Sequence, residues 1–227
     1  MAYRTLLLPM LAGAFAPAAP PLRRTALRAA SSSAAPPFRC LVPIGDGSEE
    51  IETSCIVDVL VRSGAAVTLC SVAETTTCTM SRGMRFEADA LIGDVADETY
   101  DLIACPGGMP GAKHLSESAP LARMIAAQHS RGGLLGAVCA APAVVFEPLG
   151  VLKGRSATCY PAPAFAEALP GKRVDAPVVV DGHVVTSAGP GTSLRFALAL
   201  VEGLNGPESA RALAEELLVT DYASPWE

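Results

Sequence analysis

One cysteine of the chain stands where a buried strand meets a turn, in the segment GAVCAAP that ends at Pro142. The apolar run 133–138 predicts a strand, and small residues around Cys139 allow a sharp turn into a helix predicted for 140–146. A thiol at a helix start faces free N–H groups that favour the thiolate, and the Ala140 N–H is a candidate oxyanion donor. The pattern predicts a reactive cysteine, and taken alone it fits an inert buried thiol equally well.

A glycine pair is the second feature with chemical potential. Gly107 and Gly108 follow Pro106 at the end of an apolar strand predicted for 100–105. Glycine lets a backbone N–H approach a ligand closely, although such a segment is often a plain loop. Because the carboxyl ends of parallel strands meet at one edge of a sheet, we expect Gly108 near Cys139 as a second oxyanion donor.

An acidic run, Glu49-Glu50-Ile51-Glu52, opens a helix that is predicted to begin after Ser48 as N-cap and to stop at Gly64. Acidic residues in a first turn usually complement the helix dipole. Glu52 is in register to point back toward the sheet edge and Cys139. A carboxyl beside a thiolate has a raised pKa, so Glu52 is predicted to stay protonated and to donate a hydrogen bond to sulfur, or to move protons as an acid and base.

Apolar runs of strand length and helix length alternate along the chain and must position these residues. They predict strands over 39–44, 66–72, 178–180 and 183–187, the last two forming a hairpin around Asp181-Gly182. They predict helices over 115–130, 192–204 and 207–218. Strand–helix–strand units favour parallel pairing. The prediction is an α/β fold, a three-layer α/β/α sandwich with a mostly parallel sheet, in one domain over 38–227.

Charge and cysteine content exclude several classes of function. All 23 acidic residues but only 13 of the 17 basic residues lie after residue 37, so this part of the chain is acidic. An acidic domain without basic clusters argues against nucleic-acid binding. Seven cysteines without CxxC spacing indicate a reducing compartment and mostly buried thiols, with Cys78 in a predicted loop as a secondary oxidation site. The three histidines show no ligand spacing, so we expect no metal site, and nothing indicates an organic cofactor.

Residues 1–37 have the composition of a targeting presequence. A short apolar run, 5–16, is too short to span a membrane and suits a signal peptide, and the segment after it is basic, rich in Ser, Ala and Pro, and free of acids. The AGAFAP junction resembles the bipartite presequences of algae with complex plastids. We expect a plastid protein with no membrane segment in its mature form; a mitochondrial or cytoplasmic location is the alternative.

The chain resembles the DJ-1/PfpI family, and specifically its DJ-1 branch, over about residues 39–220, in the motifs GSEEIE, CPGGMPGAKHLSES, GAVCAAP, ATCYP and SAGPGTSLRFALALVEGLNG. The resemblance implies a flavodoxin-like fold, a homodimer, a reactive Cys139 and a protonated Glu52 beside it. It also implies further site residues. These are the oxyanion-pocket residues Gly108 and Ala140, the loop residue Arg82 that reaches toward the partner's site, and the pocket residues Ser187 and Pro190.

Three positions depart from the family pattern. Tyr160 stands where many DJ-1 relatives have histidine, and Ala140 stands where the related chaperone/glyoxalase branch has histidine. Neither Cys–His pair can therefore form. A tyrosine with a pKa of about 10 is a poor base at neutral pH, so Glu52 would move protons alone and Tyr160 would serve as a wall of the pocket. Ala188 replaces an arginine that is frequent in DJ-1.

The resemblance implies an enzyme that acts on reactive dicarbonyls: a glutathione-independent glyoxalase that converts methylglyoxal to lactate, a deglycase that acts on glycated protein, or both. The alternative is an oxidation-sensing protective or chaperone-like protein that uses the same cysteine. A hydrolase is disfavoured because no histidine adjoins Cys139. A DJ-1-fold protein without activity stays open.

Overall fold

The structure is a computed structural model and describes residues 38–169 and 173–226. The presequence predicted for residues 1–37 lies outside these ranges. Among the described residues, no helix combines the length and the apolar character needed to cross a lipid bilayer.

Strands and helices alternate in the first half of the fold because apolar runs of strand length are separated by amphipathic segments. The elements of this half are β1 (Arg39–Ile44), α1 (Glu50–Arg62), β2 (Ala66–Ser71), β3 (Thr77–Thr79), β4 (Arg85–Glu87), β5 (Ala90–Leu91), β6 (Leu102–Cys105), α2 (Gly111–Glu117), α3 (Ala119–Ser130) and β7 (Leu134–Val138).

The second half adds a hairpin and the last helices. It contains a π-helical turn (Pro142–Phe146), α4 (Pro163–Ala166), β8 (Val178–Asp181), β9 (Val184–Ser187), a 3-10 turn (Pro190–Thr192), α5 (Ser193–Asn205) and α6 (Pro207–Glu216). As predicted, β8 and β9 pair antiparallel across the Asp181-Gly182 turn.

One seven-stranded sheet, in the order β5-β2-β1-β6-β7-β9-β8, forms the middle layer. All neighbouring pairs except β8 with β9 are parallel. Helices α1 and α5 pack together against the sheet, with α6 packed on α5, and α2 and α3 pack as a second group. The α/β/α sandwich and the mostly parallel sheet that the sequence predicted are confirmed. The core is rich in Leu, Val, Ile and Ala, with Phe146 and Phe196 as its largest fully buried side chains.

Sheet register brings three chain segments to one edge. Cys105 pairs with Ala137, and Val138 pairs with Ser187, so β6, β7 and β9 end at the same level. The loops after these strands carry the Gly107-Gly108 pair, Cys139 and the 187–192 segment. Ligand sites of open parallel sheets lie at this carboxyl edge, which is where the sequence placed the candidate site.

Three local predictions were wrong. The N-cap of α1 is Glu49, whose carboxylate accepts from the Glu52 N–H at 2.8 Å, because the Ser48 hydroxyl is already occupied by the Gly45 N–H. The helix predicted over 115–130 is two helices, because Ser118 adopts an extended conformation and caps α3 by accepting from the Leu121 N–H.

The third error concerns Cys78. It lies on β3 rather than in a loop, and it is fully buried with its sulfur 3.3 Å from the Ser71 hydroxyl. A secondary oxidation site at Cys78 is therefore not supported. Five of the seven cysteines have no exposed surface at all, and they are Cys40, Cys70, Cys78, Cys105 and Cys159.

Candidate active site

Cys139 sits in a strained elbow directly after β7. Its φ of 63° is in the left-handed region, which costs a non-glycine residue roughly 1–3 kcal/mol and persists only where the surroundings enforce it. The enforcement is visible on both sides of the residue. The Cys139 N–H donates to Ser187 O at 2.9 Å, and the Cys139 carbonyl accepts from the Tyr160 N–H at 2.8 Å.

The Gly107-Gly108 pair approaches this elbow closely enough to require glycine. A Cβ atom at position 107 would lie 2.7 Å from Cys139 Cβ and 2.8 Å from Ala140 N. Gly108 has a φ of +81°, and a Cβ there would lie 2.5 Å from Gly47 O. The backbone N–H groups of Gly108 and Ala140 both donate to the Cys139 sulfur. The two oxyanion donors expected from the sequence therefore converge on one atom.

Glu52 reaches the same place from the first turn of α1. Its side chain is fully buried, and Oε2 accepts a hydrogen bond from the Gly107 N–H at 2.7 Å. Oε1 is buried and has no hydrogen-bond partner within 38–169 and 173–226, and the carboxyl lies close enough to the Cys139 thiol for each group to shift the pKa of the other. Since Oε2 faces a donor, a proton on this carboxyl belongs on Oε1, where it can be given to sulfur.

Burial raises the pKa of Glu52 to about 7, with the nearby Glu49 charge adding to the rise and the Gly107 and Cys139 hydrogen bonds opposing it. The protonated state predicted for this carboxyl is thus accessible near neutral pH. Burial is also the main cause that raises the pKa of Cys139, to about 12, followed by the charge of an ionised Glu52. The N–H groups of Gly108 and Ala140 act in the opposite direction.

The prediction that N–H groups at a helix start favour a Cys139 thiolate was wrong, because the pKa of this thiol is raised. Cys139 is only 9% exposed, and the helix expected to stabilise its thiolate is a single π turn that begins three residues later. Because an ionised Glu52 raises the pKa of Cys139 further, the buried pair holds at most one negative charge at neutral pH. With a pKa of about 12 for Cys139 and about 7 for Glu52, the proton that remains above neutral pH lies on sulfur.

The other predicted site residues lie around this pair in different roles. The Ser187 hydroxyl donates to Pro177 O at 2.8 Å and lies 2.6 Å from the Thr192 hydroxyl, so the residue meets Cys139 through its carbonyl. Pro190 opens the 3-10 turn that follows and is partly buried. Tyr160 joins the site through its N–H, and its side chain is 43% exposed.

Arg82 is exposed and does not contact Cys139 within this chain. Its N–H donates to the Glu50 carboxylate, which also accepts from the Ser81 hydroxyl at 2.8 Å, and its guanidinium donates to Ser81 O at 3.2 Å. Glu50 thus fixes the loop that carries Arg82, a role that sequence reasoning missed. The sequence did contain a signal for this role, because the run Glu49-Glu50-Ile51-Glu52 has more acidic residues than the cap of one helix requires. No group of three or more potential metal ligands occurs in the described part of the chain.

Known proteins are similar to this chain in sequence. The sequence profile of the DJ-1/PfpI family matches residues 38–203. Protein DJ-1 homolog B of Arabidopsis thaliana is 42% identical over 179 residues, which is 79% of this chain and 41% of that protein, so the chain spans about two fifths of this relative. The glutathione-independent glyoxalase DJR-1.2 of Caenorhabditis elegans is 37% identical over 78% of this chain and 93% of its own length.

A solved structure gives the same result in three dimensions. The oxidized DJ-1 of Toxoplasma gondii superposes with a TM-score of 0.77 and 44% sequence identity, covering 80% of this chain and 98% of that one. The family match over residues 38–203 contains Cys139, Glu52 and the Gly107-Gly108 pair. The chain belongs to the DJ-1/PfpI family.

Proposed function

We propose that this protein is a glutathione-independent glyoxalase that converts methylglyoxal and water to lactate. One observation carries the proposal. A buried cysteine, Cys139, lies between a carboxyl of raised pKa, Glu52, and two convergent N–H donors, those of Gly108 and Ala140. A nucleophile, a proton carrier and an oxyanion site are the parts that this reaction needs, and a relative that is 37% identical carries the name of such an enzyme.

The reaction begins with addition to the aldehyde. The Cys139 thiol gives its proton to ionised Glu52 as the sulfur bonds to the aldehyde carbon, and the electron pair of the C=O bond moves to oxygen, which the N–H groups of Gly108 and Ala140 stabilise. The Glu52 proton then passes to this oxygen. The product is a hemithioacetal beside an ionised Glu52, so the charge on the pair is unchanged.

Proton transfer completes the chemistry without an external oxidant. Glu52 removes the hydrogen of the former aldehyde carbon and returns it to the ketone carbon, while the hydroxyl proton moves to the ketone oxygen. The aldehyde carbon is thereby oxidised to a thioester and the ketone carbon is reduced to an alcohol. Water cleaves the thioester C–S bond, releasing lactate and restoring the Cys139 thiol. Glu52 acts alone because no histidine adjoins Cys139 and Tyr160 meets Cys139 through its backbone N–H.

Lactate formation from methylglyoxal by purified protein, without glutathione, tests the proposal directly. We expect saturable production of lactate equal to the methylglyoxal consumed. Early glycation adducts on proteins are the second substrate class, because their hemithioacetal-type chemistry uses the same thiol. Consumption of methylglyoxal without lactate would show simple thiol scavenging and would contradict the proposal.

A redox function is the second candidate. A protonated Glu52 and the N–H groups of Gly108 and Ala140 are suited to hold the oxygens of a sulfinate on Cys139, and an oxidized DJ-1 is among the similar structures. Hydrogen peroxide would supply the oxygen atoms, with water as its reduced product. Absence of lactate formation, together with selective conversion of Cys139 to sulfinate in peptide mass spectrometry, would favour this function over the glyoxalase.

We also propose a homodimer, because α1 exposes apolar side chains. Ile51 and Val61, both more than half exposed, lie ten residues apart on one face of this helix. A second copy is the proposed occupant, since Arg82 on the adjacent loop touches no part of its own site. Sedimentation velocity should give a dimer for the wild type and a monomer for Ile51→Glu. The matched variant Leu218→Glu, at an exposed position outside α1, should stay dimeric, and a wild-type monomer at micromolar concentration would contradict the proposal.

Plastid location is proposed from the presequence composition of residues 1–37. Sugar phosphates release methylglyoxal, so a glyoxalase has an evident use in that compartment. Sequencing the N-terminus of the protein isolated from its source should place the mature start near residue 38. A mature start well before residue 30 would count against removal of a transit peptide.

A further inference from the structure

Three residues belong to, or directly follow in the sequence, the residues whose backbone groups contact Cys139. Met109 follows Gly108, whose N–H donates to the sulfur, and Ala188 follows Ser187, whose carbonyl accepts from the Cys139 N–H. Tyr160 itself donates its N–H to the Cys139 carbonyl. Met109 is 48% exposed, Tyr160 is 43% exposed, and Ala188 is partly buried. We call Met109, Tyr160 and Ala188 the site rim.

Packing holds the Tyr160 ring in place although nearly half of the residue is exposed. The ring lies edge-on to Phe165, with centroids 6.4 Å apart and an interplanar angle of 76°. A Cβ atom at Gly189 would lie 3.3 Å from Tyr160 Cδ2, so the ring is packed against this glycine. An exposed ring that is fixed by its neighbours offers a preformed apolar surface, and binding to it costs little ordering of the side chain.

The site rim carries no charge. It consists of a thioether, an aromatic ring and a methyl group, and within one chain the Arg82 guanidinium donates to Ser81 O. Carboxylate and phosphate groups are recognised by charged or multiple N–H donors, which these three side chains lack. Sulfur and aromatic side chains instead favour apolar and aromatic ligand groups.

We propose that the site rim selects α-oxoaldehydes with an aromatic or extended apolar substituent over methylglyoxal, with Tyr160 as the main specificity-determining residue and Met109 as its support. This inference rests on the proposed glyoxalase function and names its substrate class. An apolar wall that gains or loses a few carbon contacts typically changes kcat/KM by about 10- to 200-fold, and this range sets the expected effect.

The first test compares kcat/KM for phenylglyoxal and methylglyoxal. The ratio should fall by about 10-fold or more in Tyr160→Ala and by a smaller factor in Met109→Ala, while Tyr160→Phe keeps it. Phe38→Ala is the matched control, because Phe38 is an aromatic residue of similar exposure, 38%, at the opposite edge of the sheet. Equal ratios in the wild type and Tyr160→Ala would overturn the inference while leaving the glyoxalase function intact.

A second test needs no turnover. Phenacyl bromide and iodoacetamide both alkylate a thiolate: the sulfur–carbon bond forms, the halide leaves, and the thiol proton goes to solvent. Peptide mass spectrometry would follow Cys139 alone. The rate ratio of the aromatic to the polar reagent should fall by about 10-fold in Tyr160→Ala and stay unchanged in Phe38→Ala. A fall in this ratio without any aldehyde turnover would support the proposed role of the site rim and contradict the glyoxalase function. An unchanged ratio would overturn the proposed role of the site rim.

Discussion

Replacement of Cys139 with alanine is expected to lower kcat/KM for methylglyoxal by roughly 10⁴-fold or more, because loss of a nucleophile removes the covalent route itself. The fold should survive. The thiol is small, and the hydrogen bonds that hold the elbow come from its backbone N–H and carbonyl rather than from sulfur. Lactate assays with thermal unfolding of the same samples would measure both effects.

Cys55→Ala is the matched control for this substitution. Cys55 is a half-buried thiol on α1, and its removal should leave turnover close to that of the wild type. Substantial lactate formation by a folded Cys139→Ala variant would mean that the reaction proceeds without the hemithioacetal. Loss of activity in both variants would indicate that the assay responds to stability rather than to chemistry.

Glu52→Gln is expected to lower kcat/KM by roughly 10²- to 10⁴-fold and to change how stability depends on pH. Glutamine keeps the hydrogen bonds, because its carbonyl can accept from the Gly107 N–H and its amide can donate to sulfur. It cannot exchange a proton with substrate. A fall in kcat at little change in KM would therefore identify proton transfer as the missing function.

The stability effect has a defined sign. The pKa of Glu52 is raised in the folded state to about 7 from its ordinary value of 4.5, so its contribution to stability is fully present below pH 4.5 and is lost as pH rises through 7. Above pH 8 the folded state carries a penalty of about 3 kcal/mol, from about 1.4 kcal/mol per pH unit. Glu52→Gln should gain stability relative to the wild type by this order between pH 5 and pH 8.5.

Urea unfolding at both pH values would measure this difference. Glu208→Gln is the matched control, because Glu208 is an exposed carboxyl in the first turn of α6 and should show the same pH dependence as the wild type. Parallel stability curves for Glu52→Gln and the wild type would show that Glu52 ionises normally, and the raised pKa of this buried carboxyl would then be incorrect.

The sheet was predictable from sequence because its strands are continuous apolar runs. LIAC in β6 and LLGAV in β7 are buried throughout, and each is bounded by a turn signal, so both strands could be predicted from the sequence. The hairpin of β3 and β4 was not foreseen. Its strands have three residues each, TCT and RFE, and alternate exposed with covered positions, too short a pattern to distinguish from a loop.

The site was predictable in its parts but not in its environment. Cys139 and Gly108 were placed together because parallel strands end at a common edge, and Glu52 was added from its register in α1. The burial of the thiol depends on how tightly the Gly107 backbone and the elbow close over it, and that closeness is a property of tertiary packing. The assignment of three neighbouring acids to three different tasks likewise depends on which loop each one meets.

The burial of five thiols has a practical consequence for probe attachment. Toward a bulky thiol reagent, the native protein presents only Cys55, which is half-buried, and Cys139, which has a small exposed area. Removing Cys55 alone would therefore leave one attachment point for a fluorescent or spin label, directly at the candidate catalytic atom. Labelling of the five core thiols would then report the fraction of unfolded molecules, since each thiol becomes reactive only when the sheet and its helices separate.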